Sequence, residues 1–381
     1  MPHSDLKSSQ ANLKMSAKKR ILIITAAFGE GHNSAARNLA LAFHKIGIET
    51  LVADPCLLSA PHSTAVIQWG YRLVTTHFPK IWEKIYRGTD QCDFSQPSMP
   101  LMRQPESYLQ TLVNEFKPDA IVSTYPIYPY FLERHFQETD KRLPVFTVVT
   151  DSIEINASWL RAPTDYFLVT DHITVDAMSS WGIPKNKIIS TGFPVNPMFT
   201  SLTPVSIEEP HKPFRILYFP TAKKPFVRRH SRALLNASPD VHLTIVLGKN
   251  FRSLYSRAAE IKAEYPNRVR LLGWTKKVPQ LLNKHHLVVG KAGGATVHEA
   301  IAAQCPMLIH HLVPGQEEGN LQLLQHLHAG DLAEDPKDLT KAVFNLLANN
   351  AAQWRVMKNN LAKHNCNNGA ITAAKFILEK I

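Results

Sequence analysis

The sequence of 381 residues lacks the features of several specialised classes of protein. Its cysteines form no Cys-x-x-Cys pair, which argues against a zinc site and a disulfide framework and indicates a reducing compartment. They are Cys56, Cys92, Cys305 and Cys366. No apolar run approaches the roughly 18 to 20 residues of a membrane-spanning helix. Residues 1–20 are polar and lack the apolar centre of a secretory signal, so we predict a disordered tail there.

Acidic residues are in the minority, with 31 Asp and Glu against 43 Lys and Arg, which gives a formal net charge of +12. Such a charge favours polyanionic partners, whether nucleic acid, nucleotide phosphates or an anionic membrane surface. No RNA- or DNA-binding motif accompanies the charge, so nucleic acid is not expected as a partner. The hydrophobic content of 44% is that of a globular protein, and the length suits about two domains.

Short apolar runs alternate with helical patterns in both halves of the chain, which predicts α/β domains with parallel sheets. In the first half these predicted strands are residues 21–25, 50–53, 120–123, 145–149 and 166–169. In the second half they are residues 215–219, 243–247, 269–271, 287–289 and 306–309. A proline-rich stretch separates the halves. We therefore predict two Rossmann-like doubly wound domains, 21–195 and 214–365, joined by a linker at 196–213 and followed by a C-terminal helix over 366–381.

A glycine pair and a histidine follow the first predicted strand and open a helix. Gly29 and Gly31 let the backbone approach a ligand, and the helix N-terminus offers unpaired amides to an anion. His32 can transfer protons near neutral pH. An ordinary turn between a strand and a helix also explains the glycines, and a histidine at a helix start can serve packing alone.

Two polar loops follow neighbouring strands of the second half. Residues 291–300 open a helix with small residues and a hydroxyl, where backbone amides suit a diphosphate and Glu299 suits ribose hydroxyls. Residues 313–320 carry amide and carboxylate side chains dense enough to distinguish several hydroxyls of a sugar. The alternatives are a helix that merely packs closely on the sheet and an acidic, solvated loop.

These two loops, together with Gly-Glu-Gly-His-Asn-Ser-Ala-Ala at 29–36, resemble the MurG-like GT-B glycosyltransferases. The resemblance is strongest to the monogalactosyldiacylglycerol synthase and processive diacylglycerol glucosyltransferase branch, of which Pro-Gly-Gln-Glu-Glu-Gly-Asn at 314–320 is characteristic. Thr150-Asp151 leading to Trp159, and the motifs at 165–169 and 182–195, match in order and spacing. The resemblance covers roughly residues 20 to 365.

The resemblance implies a GT-B fold and an inverting transfer of galactose or glucose from a UDP-sugar, without a metal or other cofactor. It implies that His32 is the base and that Gly29, Gly31 and Asp151 lie on the acceptor side. The implied donor contacts are Gly293, Gly294, Ala295 and Thr296 to the diphosphate, Glu299 to ribose, Gln316, Glu317 and Asn320 to the hexose, and the backbone near Trp274 and Thr275 to uracil.

Three positions depart from the family pattern. Residues 220–225 replace a glycine-rich loop, so the Thr221 hydroxyl and the charges of Lys223 and Lys224 are expected to take over part of the diphosphate site. Asn196 stands where a basic residue is common, and a histidine is missing between Asp151 and Trp159. These departures bear on the diphosphate geometry and on the acceptor.

The segment 67–89 interleaves aromatic and basic side chains, including Trp69 and Trp82. Such a mixture suits the interface of an anionic leaflet, and the resembling family faces its lipid there. The alternative is a helix pair that packs its aromatic rings inward.

The expected activity is hexose transfer from a UDP-sugar to diacylglycerol, by a cytoplasmic enzyme bound peripherally to the inner face of a membrane. Alternatives are another lipid acceptor (polyprenyl-linked or glycolipid), a nucleotide-sugar epimerase on the same fold, or a non-catalytic lipid- or nucleotide-binding module. The sequence leaves the choice between galactose and glucose open, because these epimers differ in the orientation of one hydroxyl.

Overall fold

The computed structural model describes residues 19–96, 100–139, 141–208, 211–221 and 223–381. Most of the predicted N-terminal tail, and residues 209 and 210 of the predicted linker, lie outside these ranges. Two parallel sheets of six strands organise the described residues.

The first sheet has the strand order β2-β1-β3-β4-β5-β6. Its strands are β1 (Arg20–Ile24), β2 (Glu49–Ala53), β3 (Ala120–Ser123), β4 (Val145–Val148), β5 (Tyr166–Val169) and β6 (Ile188–Ser190). The central strands β3 and β4 are buried at every residue and largely apolar because helices cover both faces of the sheet. The helices of this half of the chain are α1 (Glu30–Lys45), α2 (Pro55–Ser59), α3 (Pro61–His77), α4 (Pro79–Gly88), α5 (Arg103–Phe116), α6 (Tyr128–Thr139), α7 (Ala157–Leu160) and α8 (His172–Ser180).

The second sheet has the order β12-β11-β10-β7-β8-β9. Its strands are β7 (Phe214–Tyr218), β8 (Val241–Val246), β9 (Val269–Leu272), β10 (Leu287–Lys291), β11 (Met307–His311) and β12 (Gly330–Leu332). The remaining helices are α9 (Lys224–Asn236), α10 (Phe251–Glu264), α11 (Val278–Leu282), α12 (Gly294–Ala302), α13 (Glu318–His326), α14 (Pro336–His364) and α15 (Gly369–Glu379). Helix α14 is interrupted by non-helical backbone at 348–351.

The predicted architecture of two doubly wound parallel sheets is confirmed, and each of the ten strands expected from apolar runs is present. The edge strands β6 and β12 were not predicted. Each has only three residues, and β12 reads Gly-Asp-Leu, so neither presents an apolar run. Their backbone pairing with β5 and β11 defines them instead.

The last helix returns to the first sheet after the chain has completed the second. Ala370, Ala373, Ala374 and Ile377 of α15 are buried in the same apolar cluster as β1 and α1. The chain therefore crosses between the two sheets twice, once after β6 and once between α14 and α15. No helix among the described residues is long and apolar enough to cross a membrane.

A candidate active site between the two sheets

His32 lies in the first turn of α1, just after β1. Its Nδ1 is 3.0 Å from the hydroxyl Oγ1 of Thr150, and its ring contacts the rings of Tyr125 and Trp159 at centroid distances of 5.3 and 5.8 Å. Burial lowers the pKa of His32 to about 4, against a smaller opposing effect of a hydrogen bond with the Thr124 backbone. The imidazole is therefore neutral at pH 7 and able to accept a proton.

Asp151 follows Thr150 and shares Trp159 with the histidine. The indole Nε1 of Trp159 donates to Asp151 Oδ2 at 2.9 Å. Burial raises the pKa of Asp151 to about 6, and the charge of Glu317 adds to the rise while the indole hydrogen bond opposes it. Two groups that can take up a proton, His32 and Asp151, thus both contact the side chain of one tryptophan, Trp159.

The N-terminus of α12 abuts the loop that carries Thr150. A Cβ added to Gly294, its first residue, would lie 2.9 Å from the Thr150 carbonyl oxygen, so only glycine permits this approach. The residues predicted to hold a diphosphate, 293–296, form the start of this helix, where the first amides have no helical partner. Further along α12, burial raises the pKa of Glu299 to about 7, partly opposed by Arg37.

The two polar loops of the second sheet are tied together by their own side chains. Lys291 Nζ lies 2.6 Å from Glu317 Oε1, and the Val313 amide donates to Glu317 Oε2 at 3.1 Å. Asn320 donates through Nδ2 to the Ala292 carbonyl at 2.9 Å. Glu317 and Asn320, predicted as hexose contacts, therefore also fix the shape of the site.

The other predicted donor residues follow β7 and β9, at the same edge of the second sheet. Trp274 is exposed, and Phe251 packs 3.4 Å from the Cβ position of the preceding Gly273. Thr275 accepts a hydrogen bond from a nearby backbone amide. Lys223 occupies the position directly before α9, and Lys224, the first residue of that helix, is exposed. The fold thus places the predicted donor residues at the carboxyl ends of β7, β9, β10 and β11, the edge of the sheet where ligands bind in open α/β folds.

The two tryptophans predicted to face the membrane differ in exposure. Trp69 of α3 is 66% exposed. Trp82 of α4 is half-buried, and its ring meets the Tyr71 ring edge-on at 4.9 Å. One side of the α3–α4 pair therefore faces solvent, and the other turns toward the cleft between the sheets.

Sequence reasoning missed a buried contact that joins the two domains. Ser152 Oγ lies 3.0 Å from Nε2 of His298 on α12, and the His298 ring stacks on Phe193 at 4.7 Å. A Cβ on Gly319 would lie only 1.8 Å from the Ser152 carbonyl oxygen. Gly319 lies in the characteristic string at 314–320. This glycine was therefore the one signal in the sequence for the close backbone contact with Ser152.

Comparisons with known proteins agree with this arrangement. Residues 32–195 match the family described as "Monogalactosyldiacylglycerol (MGDG) synthase". The chain is 25% identical over 379 residues to "Processive diacylglycerol beta-glucosyltransferase" of Bacillus subtilis (strain 168), covering 96% of both chains. It is 26% identical over 371 residues to the protein of the same name from Bacillus licheniformis, covering 95% of this chain and 96% of that one.

The predicted resemblance to this family is confirmed, and with it the enzyme class, a glycosyltransferase. Among solved structures, Acinetobacter baumannii MurG superposes with a TM-score of 0.59 at 13% identity, covering 95% of this chain and 99% of that one. A putative UDP-N-acetylglucosamine 2-epimerase from Listeria monocytogenes gives 0.61 at 14% identity, covering 96% and 98%. The GT-B fold of this glycosyltransferase is thereby confirmed; since an epimerase shares it, the fold does not identify the reaction.

Proposed function

We propose that this glycosyltransferase moves a hexose, galactose or glucose, from a UDP-sugar to the hydroxyl of diacylglycerol with inversion at the anomeric carbon. One residue carries the proposal. Thr150 contacts the candidate base through its side chain, 3.0 Å from His32 Nδ1, and contacts the N-terminus of α12 at Gly294 through its carbonyl oxygen. The proton acceptor and the anion-binding helix end thus face one cleft.

The proposed step is a single displacement. The ring nitrogen of His32 that Thr150 does not engage takes the hydroxyl proton as the acceptor oxygen bonds to the anomeric carbon. The bond from that carbon to the diphosphate breaks, and the electron pair leaves with UDP. Amides at the start of α12, with Lys223 or Lys224, stabilise the negative charge of the departing UDP. Attack from the face opposite the leaving group inverts the configuration.

The loops at the carboxyl edge of the second sheet supply the proposed contacts to the UDP-sugar. We propose that Glu299 accepts hydrogen bonds from the ribose, that the backbone near Trp274 and Thr275 contacts uracil, and that Gln316, Glu317 and Asn320 read the hexose. Both hexoses belong to the proposal because the matching family is described as a galactose-lipid synthase whereas the two relatives are named glucosyltransferases.

The acceptor would arrive from a membrane against which the α3–α4 pair lies. Large apolar side chains on these helices and at the junction between them are about half or more exposed, which is unusual for a surface in water. They are Val66, Trp69, Phe78, Ile81 and Ile85. Basic residues are interleaved with them along the sequence: Arg72, Lys80, Lys84 and Arg87. We propose peripheral attachment to the anionic inner face of a membrane through this surface.

The test is incubation with UDP-galactose or UDP-glucose and vesicles that contain diacylglycerol, followed by mass analysis of the lipids. A new hexosyl-diacylglycerol, formed with one donor or both, is the expected result. Consumption of the UDP-sugar with unchanged lipids would favour an epimerase. Transfer to a polyprenyl-linked or glycolipid acceptor only would replace the proposed acceptor, and binding without turnover would indicate a non-catalytic module.

A further inference from the structure

A tyrosine of the first domain forms a hydrogen bond with a residue of the loop at 313–320, which is called the donor loop below. The phenol oxygen of Tyr71, on α3, lies 2.9 Å from Oε1 of Gln316, which is 245 residues away in the sequence. Burial raises the pKa of Tyr71, so the phenol keeps its proton and acts as the donor. None of the family motifs quoted above includes Tyr71.

This bond determines which end of the Gln316 amide points away from α3. A phenol proton requires an acceptor, and in an amide side chain only the oxygen can accept. The oxygen is thereby engaged, and the two N–H groups of Nε2 are directed elsewhere. Within the described residues no other group bonds to the Gln316 amide, so its Nε2 is left for a ligand in the cleft.

The α3–α4 pair holds Tyr71 in place from several sides. The Trp82 ring packs edge-on against it, and Tyr86 of α4 lies 3.0 Å from the Cβ position of Gly315, directly before Gln316. Asn156, before α7, donates to the Tyr86 carbonyl at 3.3 Å and so anchors α4 to the first domain. The same helices that expose apolar side chains to solvent therefore reach the donor loop with their opposite side.

We propose that Tyr71 is a positioning residue for donor recognition: it fixes the Gln316 amide so that Nε2 donates to a hydroxyl oxygen of the hexose. The inference rests on the proposed function, which assigns Gln316 to the sugar. Within the described part of the chain, the side-chain hydrogen bond and ring contact of Tyr71 are to Gln316 and Trp82, outside the candidate diphosphate and uracil residues. Loss of its hydroxyl should therefore weaken binding of the hexose and leave binding of UDP unchanged.

The test compares binding of UDP and of the UDP-hexose used in turnover, by calorimetry, for wild type, Tyr71→Phe, Gln316→Ala and the double variant. Phenylalanine retains the ring that packs on Trp82 and removes only the hydroxyl. We expect Tyr71→Phe to weaken UDP-hexose binding about three- to tenfold, the range of one lost hydrogen bond. In the Gln316→Ala background the same change should have no further effect, because the two residues act as one unit.

Tyr265→Phe is the matched control. Its hydroxyl also donates to an amide oxygen, Asn236 Oδ1 at 3.4 Å, but at the C-terminal ends of α9 and α10, on the edge of the sheet opposite the cleft. This variant should bind both ligands as wild type does. Equal weakening of UDP and UDP-hexose by Tyr71→Phe, or an undiminished effect in the Gln316→Ala background, would overturn the inference and leave the proposed function standing. A wild-type protein that binds neither ligand would overturn both.

Discussion

Thr150 Oγ1 lies 3.0 Å from His32 Nδ1, so the side chain that engages the candidate base is a hydroxyl and not a carboxylate. A base acts when unprotonated, and burial lowers the pKa of His32 to about 4. We therefore expect kcat at saturating donor to be independent of pH between 5 and 8. Initial rates across that range measure it.

Asp151 is the alternative base, because burial raises its pKa to about 6. If Asp151 took the proton, kcat would fall as the pH drops through about 6, and Asp151→Asn would abolish turnover. A flat profile together with a large loss in His32→Ala would instead support the proposed role of the histidine. The two outcomes exclude one another.

Glu299→Ala and Gln316→Ala should weaken use of the donor more than binding to lipid, since both residues lie in the second domain. Losing a hydrogen bond that involves a charged or paired group costs roughly 1.5 to 3 kcal/mol, equal to about ten- to 150-fold in donor kcat/KM. Donor kinetics and vesicle cosedimentation separate the effects. Glu264→Ala, which removes an exposed ion pair with Arg232, is the control. Unchanged donor kinetics in both test variants would refute the assignment.

Binding of a UDP-sugar should strengthen as the pH rises through about 7, because burial raises the pKa of Glu299 to that value and ribose hydroxyls donate to its charged form. A UDP-sugar suits the measurement, since its esterified diphosphate does not titrate there. Calorimetry between pH 6 and 8 gives the affinity. The dependence should be absent in Glu299→Gln, and its persistence in that variant would assign it to another group.

Activity should survive thorough chelation. The proposed diphosphate site consists of backbone amides at the start of α12 and of lysine charges, which need no bridging cation. Rates measured with and without EDTA test the expectation. Loss of activity that magnesium or manganese restores would contradict it.

The two tryptophans of the α3–α4 pair should respond differently to replacement by alanine. Trp69 is 66% exposed, so Trp69→Ala should keep the melting temperature and lose the salt-resistant part of vesicle binding. Trp82 packs against Tyr71, so Trp82→Ala should lower the free energy of unfolding, by less than the roughly 3 to 5 kcal/mol of a fully buried aromatic ring. Thermal melts and cosedimentation with anionic and zwitterionic vesicles at rising salt measure both. Unchanged vesicle binding in Trp69→Ala would refute membrane contact by this ring.

The sequence was sufficient to predict ten of the strands and the polar loops because both depend on local patterns. Each of these strands has an apolar run, and each loop has glycines followed by the period of a helix. The edge strands β6 and β12 were not predicted because three residues carry no periodicity, and backbone pairing alone defines these strands. The bond between Tyr71 and Gln316, and that between Ser152 and His298, join residues over 140 positions apart. Only the packing of one domain on the other brings such pairs together.

The two crossings of the chain meet at a single point. Gly192, in the left-handed region at φ +86°, follows β6, and a Cβ there would lie 3.2 Å from Cα of Gly369, the first residue of α15. A Cβ on Gly369 would in turn collide with the Phe193 carbonyl oxygen. We expect this contact between two segments of the chain to act as a pivot, because two connections at one place permit rotation of the domains but resist their separation. If the cleft opens for substrate exchange, we expect rotation about this one place, a motion that would return the Thr150 carbonyl to Gly294 on closing.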